Sequence, residues 1–375
     1  MKKRVMLSGA GGFGETYVRL LCALEDQGCI AWVGVVDPYA SRSKRYESIR
    51  ERGIAVFERI EDFYAHQRAD LAVICSPIAM HGHQAICAMR QGSDVLLEKP
   101  VAATLEEAEQ IRRARDETQQ RLSIAFQWCY DPVMLRLKAL SDAGRFGALR
   151  RLRSLVLWPR SRPYYLRNAW AGKNYDENGH PVFDSISANA TAHYLFNMLW
   201  LAGDGYDGAE PRRVEASLWR ANDIDTFDTA TIRVSLPNGV QALHVASHAA
   251  GRHNVQDPMF LYEYEHATVR FGAYGRTQHD IVIDYADGTQ ETLGDSNPDT
   301  AEKLKRTLAE LGTAAQVVCP VEAACKHVAV MEALRAQKTP VRTFEQVCAD
   351  EDMLWVPGLS ERLTQCYQDF RLLSE

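Results

Sequence analysis

Val5-Met6-Leu7-Ser8-Gly9-Ala10-Gly11-Gly12-Phe13-Gly14 nearly opens the chain, and its reading decides the fold. Three consecutive apolar residues make a short buried-strand run, glycines follow with the spacing G-x-G-x-x-G, and Tyr17, Val18, Leu20, Leu21 and Leu24 then recur with helical period. Strand, glycine turn and helix in that order make a cradle for a diphosphate. Gly9 permits the tight turn, Gly11 admits backbone N–H groups to a pyrophosphate, and Gly14 lets the helix pack close to the strand. Gly12 and Phe13 complete the loop at the helix N-terminus, whose partial positive charge favours an anion.

The next apolar run, Ile30-Ala31-Trp32-Val33-Gly34-Val35-Val36, closes on Asp37, twenty-three residues beyond Gly14. A carboxylate at that position accepts hydrogen bonds from adenosine ribose hydroxyls and repels a 2′-phosphate, so NAD is the expected cofactor and NADP is disfavoured. Arg42 works in the opposite direction, because an arginine there can partner a phosphate. Two further buried strands follow, Asp70-Leu71-Ala72-Val73-Ile74-Cys75 ended by Ser76-Pro77, and Val95-Leu96-Leu97 ended by Glu98-Lys99-Pro100. A helix carrying Ala85, Ile86, Ala88 and Met89 separates them and stops near Gly92, and Thr104 and Glu107 have capping-box spacing ahead of another. The alternation predicts a doubly wound parallel α/β sheet. Lys99 then stands at the carboxyl end of a strand, where such sheets meet their ligands, which makes it a candidate catalytic residue.

At 375 residues the natural division is into two domains. Hydrophobic residues make up 46% and charged residues 25%, a globular profile, and a formal charge of -6 leaves no global positive field for nucleic acid. The basic start Lys2-Lys3-Arg4 superficially suggests a signal peptide, but the glycines end the apolar run too early, and no apolar stretch is long enough to span a membrane. Nine scattered cysteines without a C-x-x-C pair suit reduced thiols in a cytoplasm. Cys319, Cys325 and His327 lack the paired spacing of a zinc site and read as buried helical residues, so no metal is expected.

The chain resembles the glucose–fructose oxidoreductase, inositol dehydrogenase and MocA-like (Gfo/Idh/MocA) family, through Gly9 to Gly14, through Cys75-Ser76-Pro77 with His81 four residues beyond the proline, and through Glu98-Lys99-Pro100. The resemblance implies an N-terminal Rossmann domain over residues 1–126. It implies also a C-terminal α/β domain over residues 127–375, with a large, mainly antiparallel open sheet and a tail able to pack back on the first domain. One face of that sheet packs substrate helices and the other often pairs subunits, so a homodimer or homotetramer is expected. Ser76, Pro77 and His81 are implied to lie against the cofactor and Lys99 to point into the substrate site. Glu98 and Gln127 are second-choice cofactor residues. Taken alone, His81 reads as a helix-start or surface histidine.

In the second half, strand-like runs at 155–158, 214–220, 230–236 and 241–247 dominate, and Pro237-Asn238-Gly239 marks a hairpin turn. Asp131-Pro132 starts a helix that Gly144 terminates. Asn189-Ala190-Thr191-Ala192-His193 leads into an apolar helix ending near Gly203, and Asn189 and His193, one turn apart, share a face. The resembled family usually carries an aspartate where Asn189 stands and uses the histidine matching His193 for acid–base work; a neutral amide can orient that ring but not favour its charged form. Asp184 is read as a substitute carboxylate or a helix cap. Between these landmarks, residues 158–170 hold Trp158, Arg160, Arg162, Tyr164, Tyr165, Arg167 and Trp170; aromatic faces stack on sugars and arginine forks bind carboxylate or phosphate, so Arg160, Tyr164, Tyr165, Arg167 and Trp170 are candidate substrate residues. An inter-lobe packing surface with solvated or paired arginines accounts for the same residues. The rest, including 322–335, a capping-box spacing at Thr343 and Gln346, and a partly helical stretch over 354–370, reads as packing.

The expected activity is NAD-dependent interconversion of a secondary alcohol and a ketone on a sugar, cyclitol or sugar acid, with Lys99 and His193 assisting and Asn189 orienting. A small-molecule carbohydrate is the expected partner, with no nucleic acid and no membrane. An NAD-using glycoside hydrolase or lyase acting by transient oxidation, and a non-catalytic NAD- or sugar-sensing protein, are the alternatives.

Overall fold

The computed structural model describes residues 2–273 and 276–374. Its first part alternates strand and helix: β1 (Lys3–Ser8), α1 (Gly14–Asp26), β2 (Ile30–Val36), α2 (Tyr46–Glu51), β3 (Val56–Phe57), α3 (Ile60–His66), β4 (Leu71–Ile74), α4 (His81–Arg90), β5 (Asp94–Leu97), α5 (Leu105–Thr118) and β6 (Leu122–Ile124). The six strands form one parallel sheet in the order β3-β2-β1-β4-β5-β6. The order reverses between β1 and β4, so a crevice opens beyond the carboxyl ends of those two strands. Strands of such a sheet are covered on both faces, which is why β1, β4 and β5 read as unbroken apolar runs. The cap at Thr104 forms as its spacing predicts, its Oγ1 accepting from the Glu107 N–H at 3.2 Å.

The chain divides into two compact units, Met1–Tyr130 with Pro298–Cys325, and Asp131–Asn297 with Lys326–Glu375. The division expected at residue 126 thus differs in two respects: a short 3-10 turn at Gln127–Tyr130 stays with the first unit, and so does a later segment. That segment holds an amphipathic helix whose Ala301 and Leu304 join Val5, Leu7 and Tyr17 in one core.

The second unit contains α6 (Pro132–Asp142), β7 (Leu149–Leu157), α7 (Arg162–Tyr165), α8 (Ala192–Ala202), β8 (Arg213–Arg220), β9 (Thr229–Ser235), β10 (Gln241–Ser247), β11 (Gln256–Tyr264), β12 (Ala267–Ala273), β13 (Arg276–Tyr285) and β14 (Gln290–Asp295). After α9 (Thr300–Glu310) in the first unit and α10 (Val321–Ala336), which crosses the division, come β15 (Val341–Thr343), β16 (Cys348–Asp350), β17 (Met353–Trp355) and α11 (Leu359–Asp369). Nine strands form a mostly antiparallel sheet in the order β14-β13-β12-β11-β7-β10-β9-β8-β15, with β7–β10 and β8–β15 parallel. The β9–β10 hairpin turns as read, with Asn238 and Gly239 at φ 59° and 77°.

One local expectation fails for a tertiary reason. Thr343 and Gln346 cap no helix, because residues 341–343 are claimed by pairing with β8. The 354–370 stretch is partly helical as read, its helix beginning at Leu359 after the β16–β17 ribbon. The final helix α11 packs on β7 and β10 within the second unit, with Leu359, Leu363 and Cys366 clustered with Leu155, Leu243 and Val245. Among the described residues no helix is long and apolar enough to cross a membrane.

Candidate functional site

The glycine turn joins β1 to α1 at the switch point. Gly9 has φ +84°, and a Cβ there would lie 2.6 Å from the Cys75 carbonyl oxygen; a Cβ on Gly14 would lie 2.0 Å from the Gly9 carbonyl oxygen. Both positions therefore require glycine for the turn itself. Gly11 and Gly12 differ, since a Cβ on either meets nothing within 4 Å. They are exposed, together with Phe13, at the mouth of the turn and the N-terminal end of α1. Open space above glycine backbone, facing a helix N-terminus, fits a dinucleotide pyrophosphate.

Asp37, directly after β2, faces this turn. Its Oδ2 accepts from the Ala10 N–H and its Oδ1 from the Tyr39 N–H, both at 2.8 Å, and each oxygen keeps a further lone pair for a ribose hydroxyl. Arg42 stacks over the Tyr39 ring at 4.6 Å. On the other side of the switch point, the Ser76 hydroxyl donates to Gln84 Oε1 at 2.7 Å, and Pro77 is exposed. His81 opens α4 and is buried, its ring nitrogens lying 2.9 Å from the Pro100 carbonyl and 3.0 Å from the Ser76 carbonyl. It is thus neither a surface histidine nor exposed toward a ligand: it ties the loop after β4 to the loop after β5. Burial pushes its pKa down, against the pull of those two carbonyls.

Lys99 follows β5 in the first unit, and its backbone N–H donates to Glu98 Oε2 at 3.2 Å. Glu98 is itself buried, accepting from the Tyr17 hydroxyl at 2.7 Å and from Lys303 of α9. Burial raises the Glu98 carboxyl, but the Lys303 charge and the two hydrogen bonds outweigh it and leave its pKa below the ordinary carboxylate range. Lys303, missed by the sequence reading, is fully buried over the Phe13 and Tyr17 rings. No local pattern marks it, because its partner is 205 residues away. Gln127 reaches the Pro298 carbonyl at 3.3 Å.

In the second unit, His193 lies half-buried in the first turn of α8, while Asn189 belongs to the turn that precedes the helix. Asp184 does not cap α8. Its Oδ1 accepts from Asn189 Nδ2 at 2.7 Å and its Oδ2 from the Gly172 N–H at 2.8 Å, with Arg167 3.4 Å away. Beneath this turn, Thr191 Oγ1 lies 3.1 Å from His244 Nε2, and Ser154 Oγ lies 2.9 Å from His244 Nδ1. Burial lowers the His244 pKa to about 3, so the ring is neutral near pH 7. Tyr164, Tyr165, Asp184 and His248 line a small cavity. Cys319, Cys325 and His327 are all buried.

Residues 3–126 match an oxidoreductase family with an NAD-binding Rossmann fold, and residues 134–276 match the C-terminal domain of the same family. The chain belongs to the Gfo/Idh/MocA family. It is 27% identical to an inositol 2-dehydrogenase of Klebsiella pneumoniae subsp. pneumoniae over 213 residues, 56% of this chain and 58% of that protein. It is 25% identical to an inositol 2-dehydrogenase of Corynebacterium glutamicum over 201 residues, 53% and 54% of the two. The chain thus spans a little over half the length of these curated relatives. Among solved structures, the WlbA dehydrogenase from Bordetella pertussis in complex with NADH and UDP-GlcNAcA superposes with a TM-score of 0.71 at 21% identity, covering 90% of this chain and 96% of that one. This shared fold is the α/β architecture with its Rossmann sheet and large mixed sheet.

Proposed function

We propose that the protein interconverts a secondary alcohol and a ketone on a sugar, cyclitol or sugar acid, using NAD. The observation that carries the reading is the glycine cradle at the β1–β4 switch point with Lys99 following β5, the strand beside β4 in the same sheet. The names of the relatives, inositol 2-dehydrogenases and a dehydrogenase solved with NADH and a sugar nucleotide, support it. Gly9, Gly11, Gly12, Phe13 and Gly14 would hold the pyrophosphate, Asp37 the adenosine ribose, and Ser76 and Pro77 the nicotinamide side, with Glu98 and Gln127 supporting from behind. Bound NAD supplies the acceptor for the hydride that leaves the carbinol carbon.

The chain's own residues handle the proton and the charge. His193 is assigned the general-base role for the hydroxyl proton, and Lys99 that of a hydrogen-bond donor stabilising negative charge as it develops on oxygen. Asn189 orients the His193 ring. Its amide nitrogen donates to Asp184 Oδ1 at 2.7 Å, which ties the turn before α8 to that carboxylate. Tyr164, Tyr165 and Trp170, with Arg160 and Arg167 packed over the rings of Tyr164 and Trp170, are assigned to the substrate side.

The test is a panel of sugars, sugar acids, cyclitols and sugar phosphates incubated with NAD while NADH absorbance is followed. Lys99→Ala and His193→Ala are expected to lower turnover by roughly 10²–10⁴ while NAD affinity is largely kept. Full turnover by both variants on a confirmed substrate sinks the assignment, and conversion of substrate without net NADH points to the transient-oxidation reaction.

A further inference from the structure

The three arginines of residues 158–170 meet three different environments, all within the second unit. Arg162 is exposed to solvent. Arg167 lies over the Tyr164 ring at 3.9 Å, donates to the Tyr164 carbonyl at 2.6 Å and sits 3.4 Å from Asp184 Oδ2, so its charge is matched. Arg160 is half-buried, its guanidinium carbon 5.1 Å from the Tyr164 ring centroid and 5.8 Å from that of Trp158. Its backbone N–H is fixed on the His248 carbonyl at 3.1 Å. Among the described residues no carboxylate pairs with it, and its Nε is shielded from solvent without an acceptor.

The ionisable neighbours do not supply the missing negative charge. Asp184 is committed to Gly172, Asn189 and Arg167. The Tyr164 phenol is pushed up by burial and stays protonated, and the His248 imidazole is pushed down to about 3 by burial, so it is neutral. Arg160 also hydrogen-bonds the Tyr164 hydroxyl, a neutral partner that leaves its positive charge unmatched, and a guanidinium fork matches carboxylate and phosphate oxygens in bidentate geometry. Neutral sugars offer no such counter-charge.

We propose that Arg160 is the subsite for an anionic substituent of the substrate, a carboxylate or phosphate held between Trp158 and Tyr164, so that charged sugars rather than neutral sugars or cyclitols are the ligand class. The inference rests on the second unit being the sugar-binding part, but its binding step needs neither cofactor nor turnover.

The test is titration calorimetry of the full chain without NAD, using D-glucuronate, D-glucose 6-phosphate and D-glucose as probes, on wild type, Arg160→Gln and Arg160→Lys. Expected is binding of at least one anion with no measurable heat from glucose. Arg160→Gln should weaken that binding by about tenfold or more, and Arg160→Lys, which keeps the charge but loses the fork, by less. Which anion binds separates a carboxylate site from a phosphate site. Should Arg160→Gln fail to fold by its melting curve, Arg160→Lys and the fall of wild-type affinity with added KCl decide in its place. Absence of binding by both anions, unchanged affinity in the variants, or glucose binding as tightly as the anions overturns the proposal. NADH production is then read separately. An anion held through Arg160 but never oxidised sinks the dehydrogenase reading alone, whereas neutral sugars oxidised equally by wild type and Arg160→Gln sink the subsite alone.

Discussion

Gly11→Ala separates the two jobs of the glycine turn. The added methyl meets no atom within 4 Å, and Gly11 does not lie in the left-handed region, so the fold accepts alanine. Stability should change by less than about 1 kcal/mol, with a gain as reasonable as a loss because alanine restricts the unfolded chain. The space the methyl fills is the space a pyrophosphate needs. Losing one charge-assisted hydrogen bond from backbone N–H to phosphate costs roughly 1.5–3 kcal/mol, or about 10- to 150-fold in Kd. Gly14→Ala is the contrasting variant: its methyl lies 2.0 Å from the Gly9 carbonyl oxygen, so the start of α1 must move and stability should drop by about 1–3 kcal/mol or more. Calorimetric titration of NAD and thermal melting, run on both variants, read the two effects independently. If Gly11→Ala melts like the wild type and binds NAD with the wild-type Kd, the turn does not hold the pyrophosphate as argued.

Lys303→Met strands the Glu98 carboxylate in the core and should cost about 3–5 kcal/mol at pH 7 by urea denaturation. Because Lys303 holds the folded-state pKa of Glu98 below its unfolded value, the pair stabilises above the unfolded pKa and loses that contribution as pH falls through the folded one. The variant's deficit should therefore shrink on acidification, and a deficit independent of pH refutes the pairing. Asp37→Ala should relax discrimination against NADP in binding titrations; unchanged preference rejects its role. His244 and His248 have folded pKa values near 3, so the folded state stays unprotonated while the unfolded chain takes up protons below about pH 6.5. Stability should fall between about pH 6.5 and 3 at up to roughly 1.4 kcal/mol per pH unit for each ring. His244→Gln should flatten that slope, and an unchanged slope counts against the buried neutral ring.

The parts of the fold legible in the sequence are those that short stretches encode by themselves. Gly9 to Gly14, Asp37 after β2 and the apolar runs of β4 and β5 carry their reasons within a few residues, and the Rossmann order follows from them. Lys303 carries none, because its place over Tyr17 and against Glu98 exists only once α9 has docked on the first unit. Thr343 and Gln346 show the converse failure, a true local capping signal overridden by pairing of Val341 with Leu218. Asp184 was legible as a carboxylate near the substrate helix, but its commitment to Gly172 and Asn189 depends on a loop folding back twelve residues.

α11 makes the segment after Gly358 part of the wall of the large sheet. Its outward side carries Glu361, Gln365 and Asp369, while its inward side screens leucines and valines of the two central strands. Proteolytic release of this helix would bare a greasy stripe on the widest flat surface of the unit, an invitation to clumping rather than a harmless trimming. Over β7 and β10, then, an approaching surface would meet the polar side of a helix and not the strands themselves.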